Sequence, residues 1–235
     1  MTAVAHHSSQ APTSRAGEGT ENYAKAIYHL QQRGDGPVHT GAIAERVGVT
    51  PASASAMVRR MAKDGLVEHA PYHGVRLTER GEDLALEMLR HHRLIESFLA
   101  RLGMPWDRVH EEAERLEHVI SEELEELIAR FLGDPTHDPH GDPIPTADLE
   151  IDEPDTRRLS DMEPGDRGTL VRISDSDPEM LRYLAELEVS PGDAVRVVDR
   201  QPFGGPLTVR FPSGERVLGG GVTEAMRVAV GEHGR

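Results

Sequence analysis

The chain has 235 residues and a formal net charge of −15, which is long enough for two domains and too acidic for a protein coated with nucleic-acid-binding surface. It contains no cysteine, which excludes disulfides, thiolate metal ligands and a cysteine nucleophile. Its apolar runs are short and its polar, His-rich N-terminus lacks a signal-peptide pattern, so we expect a cytoplasmic protein without a membrane span.

Residues 1–19 are polar with no apolar period and are predicted to form a disordered arm. The next segment, 20–78, has the pattern of a winged helix-turn-helix domain, with a first helix capped by Thr20 and a short second helix beginning at Thr40. Thr20–Val75 carries six Lys or Arg against five Asp or Glu. It is the one folded segment whose charge is not acidic, which favours a DNA-binding role.

A recognition helix is predicted from Thr50-Pro51, an N-cap followed by proline at the first helical position. One face of this helix is apolar and faces inward. The opposite face carries small residues near its N-terminus and basic residues further along, which suits a major groove. The residues expected to contact DNA are Thr50, Ala52, Ser53, Ala56, Arg59, Arg60 and Lys63. Strands at 66–69 and 75–77 would form the wing. The alternative is a small helical subdomain with an ordinary charged surface.

Residues 79–145 are predicted to form a helical domain, with one helix to Leu102 and a second that continues to about Phe131. Apolar residues on the first of these exceed what one small domain needs, so that helix is expected to pack on a second subunit. Imidazoles and carboxylates recur at helical spacing on both helices, which indicates a metal site at the edge of the core. They are His92, Glu96, His110, Glu114, Glu117 and His118. A solvated charged helix is the alternative interpretation.

The turn-rich loop 133–145 carries His137 and His140, for which we expect a structural role because its prolines impose an extended path. Residues 146–161 are acidic and are predicted to be a linker. From 162 to 235, short strands separated by turn signals predict a small β-barrel interrupted by one helix near 178–187. Asp177 and Glu179 open that helix, where they either cap it or reach a metal in the preceding domain.

These motifs together resemble the diphtheria toxin repressor family of metal-dependent transcriptional regulators, in its manganese-responsive branch with a C-terminal SH3-like, FeoA-like domain. The similarity covers nearly everything from Thr20 onward. It is most specific at His-His-Arg-Leu-Ile-Glu (91–96), at Val-His-Glu-Glu-Ala-Glu-Arg-Leu-Glu-His (109–118) and at Asp-Pro-His-Gly-Asp-Pro-Ile-Pro (138–145). The implied fold class is multidomain α+β: a winged helix-turn-helix, a helical metal-binding and dimerisation domain, and an SH3-like barrel.

The resemblance also implies two metal sites. The primary site corresponds to Asn22, Glu114, Glu117 and His118, and the ancillary site to His92, Glu96 and His110 with Asp177 or Glu179 from the barrel. Glu114 stands where iron-responsive relatives have a cysteine, so the ligand set favours a harder ion.

The expected function is therefore a repressor that binds a palindromic operator as a homodimer when loaded with Mn²⁺ or Fe²⁺, and that controls metal-homeostasis genes. We expect no enzymatic activity, because the chain lacks His-Glu-x-x-His and no open site beside a general base is indicated. A metal-binding scaffold or storage protein with a peptide-binding β-domain is the alternative.

Overall fold

The computed structural model describes residues 16–32, 34, 36–70 and 74–230. Most of the arm predicted over 1–19 and the turn of the predicted wing therefore lie outside the described residues. Contacts divide the chain into two compact units, one up to Ala85 and one from Leu86 onward. Within the described ranges, no helix combines the length and the hydropathy needed to span a bilayer.

The first unit is the predicted winged helix-turn-helix. It contains α1 (Glu18–Gln31), α2 (Thr40–Val47), α3 (Pro51–Lys63), β1 (Val67–Ala70) and β2 (Gly74–Leu77). The two strands are antiparallel, with Val67 opposite Leu77. Its core consists of apolar side chains from all three helices and the wing, among them Ile27, Ile43, Val58 and Val75. Burial of these periodic residues fixes the position of α3 against the rest of the unit.

Helix α3 begins as the sequence predicts, and α1 does not. Thr50 caps α3 by accepting a hydrogen bond from the Ser53 amide, with Pro51 at the first helical position. Helix α1, in contrast, starts at Glu18 after Gly17, and Thr20 is buried inside its first turn. Acidic residues in a first turn favour an N-terminus through the helix dipole. Glu18 and Glu21 supply that charge, and Thr20 is not the cap.

Three further helices follow: α4 (Glu79–Arg101), which begins in the first unit and continues into the second, α5 (Trp106–Leu116) and α6 (Glu122–Leu132). The prediction of one continuous helix to about Phe131 is wrong. Glu117 is the C-cap of α5, and Ser121 caps α6 by accepting a hydrogen bond from the Leu124 amide at 3.3 Å. Glu117 and His118 therefore lie in a turn after α5 and do not continue its face.

The C-terminal part of the second unit is a six-stranded antiparallel sheet in the order β3-β8-β4-β5-β6-β7. Its strands are β3 (Arg157–Arg158), β4 (Arg167–Ile173), β5 (Ala194–Arg200), β6 (Leu207–Phe211), β7 (Gly214–Leu218) and β8 (Met226–Val230). Two helices interrupt it, α7 (Pro178–Glu186) and the short α8 (Gly220–Glu224). Alternate residues such as Val195, Val197 and Val209 face a buried core, as half-buried strands require.

Three features of this sheet were not predicted. β3 lies inside the predicted linker 146–161 and pairs with β8, and neither β8 nor α8 was expected. The predicted helix near 178–187 is confirmed as α7. Trp106, at the start of α5, packs against the core of the sheet, so the helical region and the sheet of the second unit share a contact beside the candidate metal ligands.

Candidate metal centre and DNA-binding surface

Glu96 is the hub of a cluster of acids and imidazoles in the second unit. Its side chain, on the buried face of α4, is fully buried. Its Oε1 lies 3.1 Å from His92 Nε2, one turn earlier on α4, and 3.2 Å from His110 Nδ1 on α5. The other oxygen, Oε2, faces His140 Nδ1 at 3.8 Å, too far for a hydrogen bond.

His92 joins this cluster to the end of α5. Its Nδ1 lies 2.5 Å from Glu117 Oε2 and 3.8 Å from Glu114 Oε1. Glu117 is buried because the turn after α5 folds it inward, whereas Glu114 remains exposed on the helix. The resemblance assigned His92 to the ancillary site and the two glutamates to the primary site. In the structure, the His92 imidazole lies next to both glutamates.

The sheet contributes Asp175 to the cluster. Asp175 follows β4, and its Oδ2 lies 2.8 Å from His110 Nδ1. Among the described residues, the groups whose ligand atoms could share an ion include Asp175 and do not include Asp177 or Glu179. Asp177 instead caps α7 by accepting hydrogen bonds from the Glu179 and Met180 amides, and Glu179 is exposed in the first turn of that helix. The side chain that the barrel brings to His110 is therefore Asp175, two residues before the predicted Asp177.

His140 converges on the same site, contrary to the expectation of an extended loop without a converging face. It is fully buried, its Nε2 lies 2.8 Å from the Trp106 carbonyl oxygen, and its ring stacks on Trp106. Asp138 Oδ1 accepts hydrogen bonds from the amides of His140 and Asp142, which closes a turn and directs the imidazole at Glu96. His137, by contrast, is exposed.

The cluster is strongly perturbed electrostatically. Burial raises the pKa of Glu96, but the imidazoles of His110, His140 and His92 outweigh burial and hold it well below its usual value. Burial lowers the pKa of His110, yet the carboxylates of Asp175 and Glu96 raise it to about 10. The pKa of Asp175 falls to about 2, since its contact with His110 outweighs burial. Without an ion, the His110 imidazole therefore carries a proton at neutral pH, and its charge offsets the buried carboxylates.

The donor set fits a divalent cation. Glu96 Oε2 and His140 Nδ1 are buried atoms without a hydrogen-bond partner, and buried polar atoms of this kind are uncommon in folded proteins. Within the part of the chain that the structure describes, three overlapping groups hold ligand atoms within 4.8 Å of one another: His92, Glu96, His110 and Asp175; His92, Glu114 and Glu117; and Glu96, Asp138 and His140. All their atoms are nitrogen or oxygen, as Mn²⁺ and Fe²⁺ accept.

The remaining predicted ligands are His118 and Asn22. His118 Nε2 lies 3.5 Å from Glu117 Oε1, at the edge of the cluster. Asn22 lies in α1 of the first unit, and its role as a ligand stays a prediction.

The outer face of α3 carries the residues predicted to meet DNA. All seven are exposed, whereas Ala54, Val58 and Met61 on the opposite face are buried. The Thr50 hydroxyl caps the helix and lies 2.9 Å from the Ser53 hydroxyl, so its first role is local. Arg59, Arg60 and Lys63 form a basic end suited to phosphates.

Comparison with known proteins agrees with this arrangement. Residues 16–75 match the N-terminal DNA binding domain of iron dependent repressors, 78–146 match their metal binding and dimerisation domain, and 157–230 match the FeoA domain. The iron-dependent repressor IdeR of Mycobacterium tuberculosis is 35% identical over 211 residues, covering 84% of this chain and 90% of that protein. The chain belongs to the iron-dependent repressor family.

Other members extend the comparison. The diphtheria toxin repressor of Corynebacterium diphtheriae is 33% identical over 192 residues, 77% of this chain and 84% of that protein. Among solved structures, a manganese-dependent transcriptional repressor in complex with manganese is 42% identical with a TM-score of 0.83, covering 90% of this chain and 99% of that one. ScaR with bound Zn²⁺ is 27% identical with a TM-score of 0.74, over 90% and 99% of the two chains. The relatives are repressors and not enzymes, which confirms the predicted family, fold class and lack of catalysis.

Proposed function

We infer that Mn²⁺, with Fe²⁺ as the alternative, is the ion to which this metal-dependent transcriptional repressor responds. The observation that carries the inference is the composition of the cluster around Glu96, where every candidate ligand atom is a carboxylate oxygen or an imidazole nitrogen. Such hard donors suit Mn²⁺, and no cysteine in the chain adds the soft donor that would favour softer ions.

The residues that would hold the ion come from separate elements. His92 and Glu96 lie on α4, His110 on α5, and Asp175 in the segment between β4 and α7. A bound divalent cation supplies positive charge that the carboxylates otherwise receive from protonated imidazoles. His92 and Glu96 hold fixed positions on one helix, while Asp175 and Glu117 reach them from chain turns. Occupancy of the site therefore favours one relative arrangement of these elements.

We propose that this arrangement populates a conformation of the protein able to bind DNA. Apparent affinity for a ligand falls in proportion to the fraction of competent molecules, so raising that fraction raises affinity for DNA without any new DNA contact. In this conformation α3 enters the major groove, with Ala52 and Ala56 against thymine methyl groups and the basic end of the helix at phosphates.

We also propose a homodimer formed through α6. Leu124, Leu127 and Phe131 lie at helical spacing on that helix and are all exposed, next to the exposed Val119. Apolar faces of this kind are typical of subunit interfaces. The apolar residues of α4, which the sequence predicted to pack on a second subunit, are mostly buried within the chain. A two-fold dimer would present two α3 helices to successive major grooves about 34 Å apart on a palindromic operator.

Fluorescence anisotropy of labelled duplexes, selected from random sequence by the metal-loaded protein, tests this proposal. We expect binding at micromolar Mn²⁺ to weaken at least tenfold when a chelator removes the ion, and Mg²⁺ not to replace it. Arg60→Ala should weaken binding at every sequence, because Arg60 would contact phosphates. Metal-independent DNA binding would refute the proposed switch.

A further inference from the structure

A cavity of about 300 Å³ opens onto the solvent side of the candidate metal centre. It is lined by His110 and Asp175 together with Asp107, Arg108, Glu111 and Arg182. His92 and Glu96 are buried, but the side chains of His110 and Asp175 are 37% and 28% exposed. Solvent therefore reaches the His92–Glu96–His110–Asp175 group at its His110–Asp175 edge, through this cavity.

An ion pair closes one side of the same cavity. Arg182 on α7 places Nη1 2.9 Å from Asp107 Oδ2 in the first turn of α5. The Asp107 side chain is only 10% exposed and that of Arg182 is 53% exposed, so this pair is partly shielded from solvent. It joins α5, which carries His110, to α7, which directly follows the segment that carries Asp175.

The segment that carries Asp175 depends on these anchors. On one side Ser174 donates its amide to the Ala225 carbonyl, and on the other Asp177 caps α7. A displacement of α7 away from α5 would therefore carry Asp177, and with it Asp175, away from His110. Such a displacement would widen the cavity and at the same time separate Asp175 from His110.

We propose that the Asp107–Arg182 pair is a gate that sets how fast the metal ion enters and leaves the His92–Glu96–His110–Asp175 group. This inference rests on the metal-dependent function proposed above and adds a kinetic control to it. Neither Asp107 nor Arg182 belongs to a candidate metal group among the described residues, so the pair acts on the barrier to exchange more than on the affinity. A slow gate would prolong repression after the free metal concentration falls.

Stopped-flow kinetics of the full-length protein tests the gate. Uptake of Mn²⁺ and its release into excess chelator are followed by the emission of Trp106, the sole tryptophan, which stacks on His140. The relevant phase is the one that disappears in His110→Ala. In Arg182→Gln we expect both rates to rise about fivefold, the factor that one partly shielded ion pair supplies, while the Kd changes less than about twofold.

Arg210→Gln is the matched control. The side chain of Arg210 is 54% exposed, compared with 53% for Arg182, and it is paired with Glu215. Arg210 lies on the strand β6. This control should exchange metal at the wild-type rate. Asp107→Asn should reproduce Arg182→Gln, and the double variant should be no faster than either single variant if the two groups act as a pair.

Three outcomes separate the possibilities. Unchanged rates in Arg182→Gln would overturn the gate and leave the repressor function standing. If release became faster while uptake did not change, the Kd would increase. The pair would then contribute only to affinity, which would also overturn the gate. Failure of the wild type to take up Mn²⁺ would overturn the proposed function and the gate together.

Discussion

Glu96 concentrates the chemistry of the centre in one side chain. It is fully buried, faces three imidazoles and belongs to two of the three candidate metal groups. Asp175 and His140 reach it from different parts of the chain, so the centre is assembled only when the second unit is folded. A change at this residue should therefore affect metal binding far more than a change at any single exposed acid.

We expect Glu96→Gln to weaken Mn²⁺ binding about 100-fold, since it removes the negative charge of a central ligand. Isothermal titration calorimetry measures the affinity. Glu215→Gln, at 46% exposure on β7, should bind as the wild type does. Equal affinities for the two variants would contradict the assignment of Glu96.

Metal binding should release protons. The pKa of His110 is raised from 6.5 to about 10, so its protonated form stabilises the metal-free fold below pH 6.5, and this contribution is lost as the pH rises through about 10. An imidazole must be neutral to bind a metal. At pH 7 the ion must displace that proton, and Mn²⁺ affinity should increase from pH 6 toward pH 9.

Calorimetric titrations in buffers of different ionisation enthalpy measure the number of protons released. We expect close to one more proton for the wild type than for His110→Ala at pH 7. A binding enthalpy independent of the buffer would show that the imidazoles are already neutral.

At the level of elements, the loop 138–142 holds the sheet against the helices. The Ile173 amide of β4 donates to the His140 carbonyl. Asp142 Oδ1 lies 3.4 Å from Arg93 Nη2 on α4 and 3.2 Å from Arg172 Nη1 on β4.

Gly141, in the same loop, lies against the backbone of β4 with φ near +88°, and a Cβ there would overlap the Val171 carbonyl oxygen. This close approach positions the strand end from which Asp175 extends.

Gly141→Ala should therefore destabilise the protein by more than about 2 kcal/mol, because it combines backbone strain with overlap against β4. Gly133→Ala is the control: its φ is +79° but nothing lies within 4 Å of the added Cβ, so it should cost only about 1 kcal/mol. Urea unfolding measures both. Equal losses of unfolding free energy in the two variants would mean that the loop shifts to accommodate the added Cβ and does not hold β4 in place.

The sequence predicts features that depend on local chemistry and misses those that depend on tertiary contact. The Thr50-Pro51 signal places α3 correctly, and the i, i+4 spacing of His92 and Glu96 brings them together. Asp177 precedes a proline, as Thr50 does, and caps α7 as that local pattern predicts. Nothing local marks Asp175, because its position beside His110 depends on tertiary contact. His140 was misjudged for the same reason. The sequence does contain a signal for the helix break after Leu116, because Ser121 precedes three acidic residues in the first turn of α6, a pattern typical of a helix N-terminus.

At the level of the whole molecule, the metal centre and the recognition helix belong to separate compact units, and the proposed dimer links the two functions. Leu127 lies in the middle of the exposed apolar face of α6 and is 50% exposed. If this face forms the interface, a charge placed there should leave each chain folded and separate the subunits.

We expect Leu127→Asp to be monomeric by analytical ultracentrifugation and to lose at least tenfold in affinity for a palindromic duplex. Val217→Asp, at 58% exposure on β7, should remain dimeric and bind normally. A dimeric Leu127→Asp protein would place the interface elsewhere.

The location of the ion is the most direct test of the account. Anomalous diffraction from crystals grown with Mn²⁺, collected near the manganese absorption edge, should give a peak bonded to His92, Glu96, His110 and Asp175, with Asp177 still capping α7. The same map should show whether Asn22 accompanies Glu114 and Glu117 at a second ion. Peaks confined to other residues, with Glu96 still hydrogen-bonded to its imidazoles, would contradict the account.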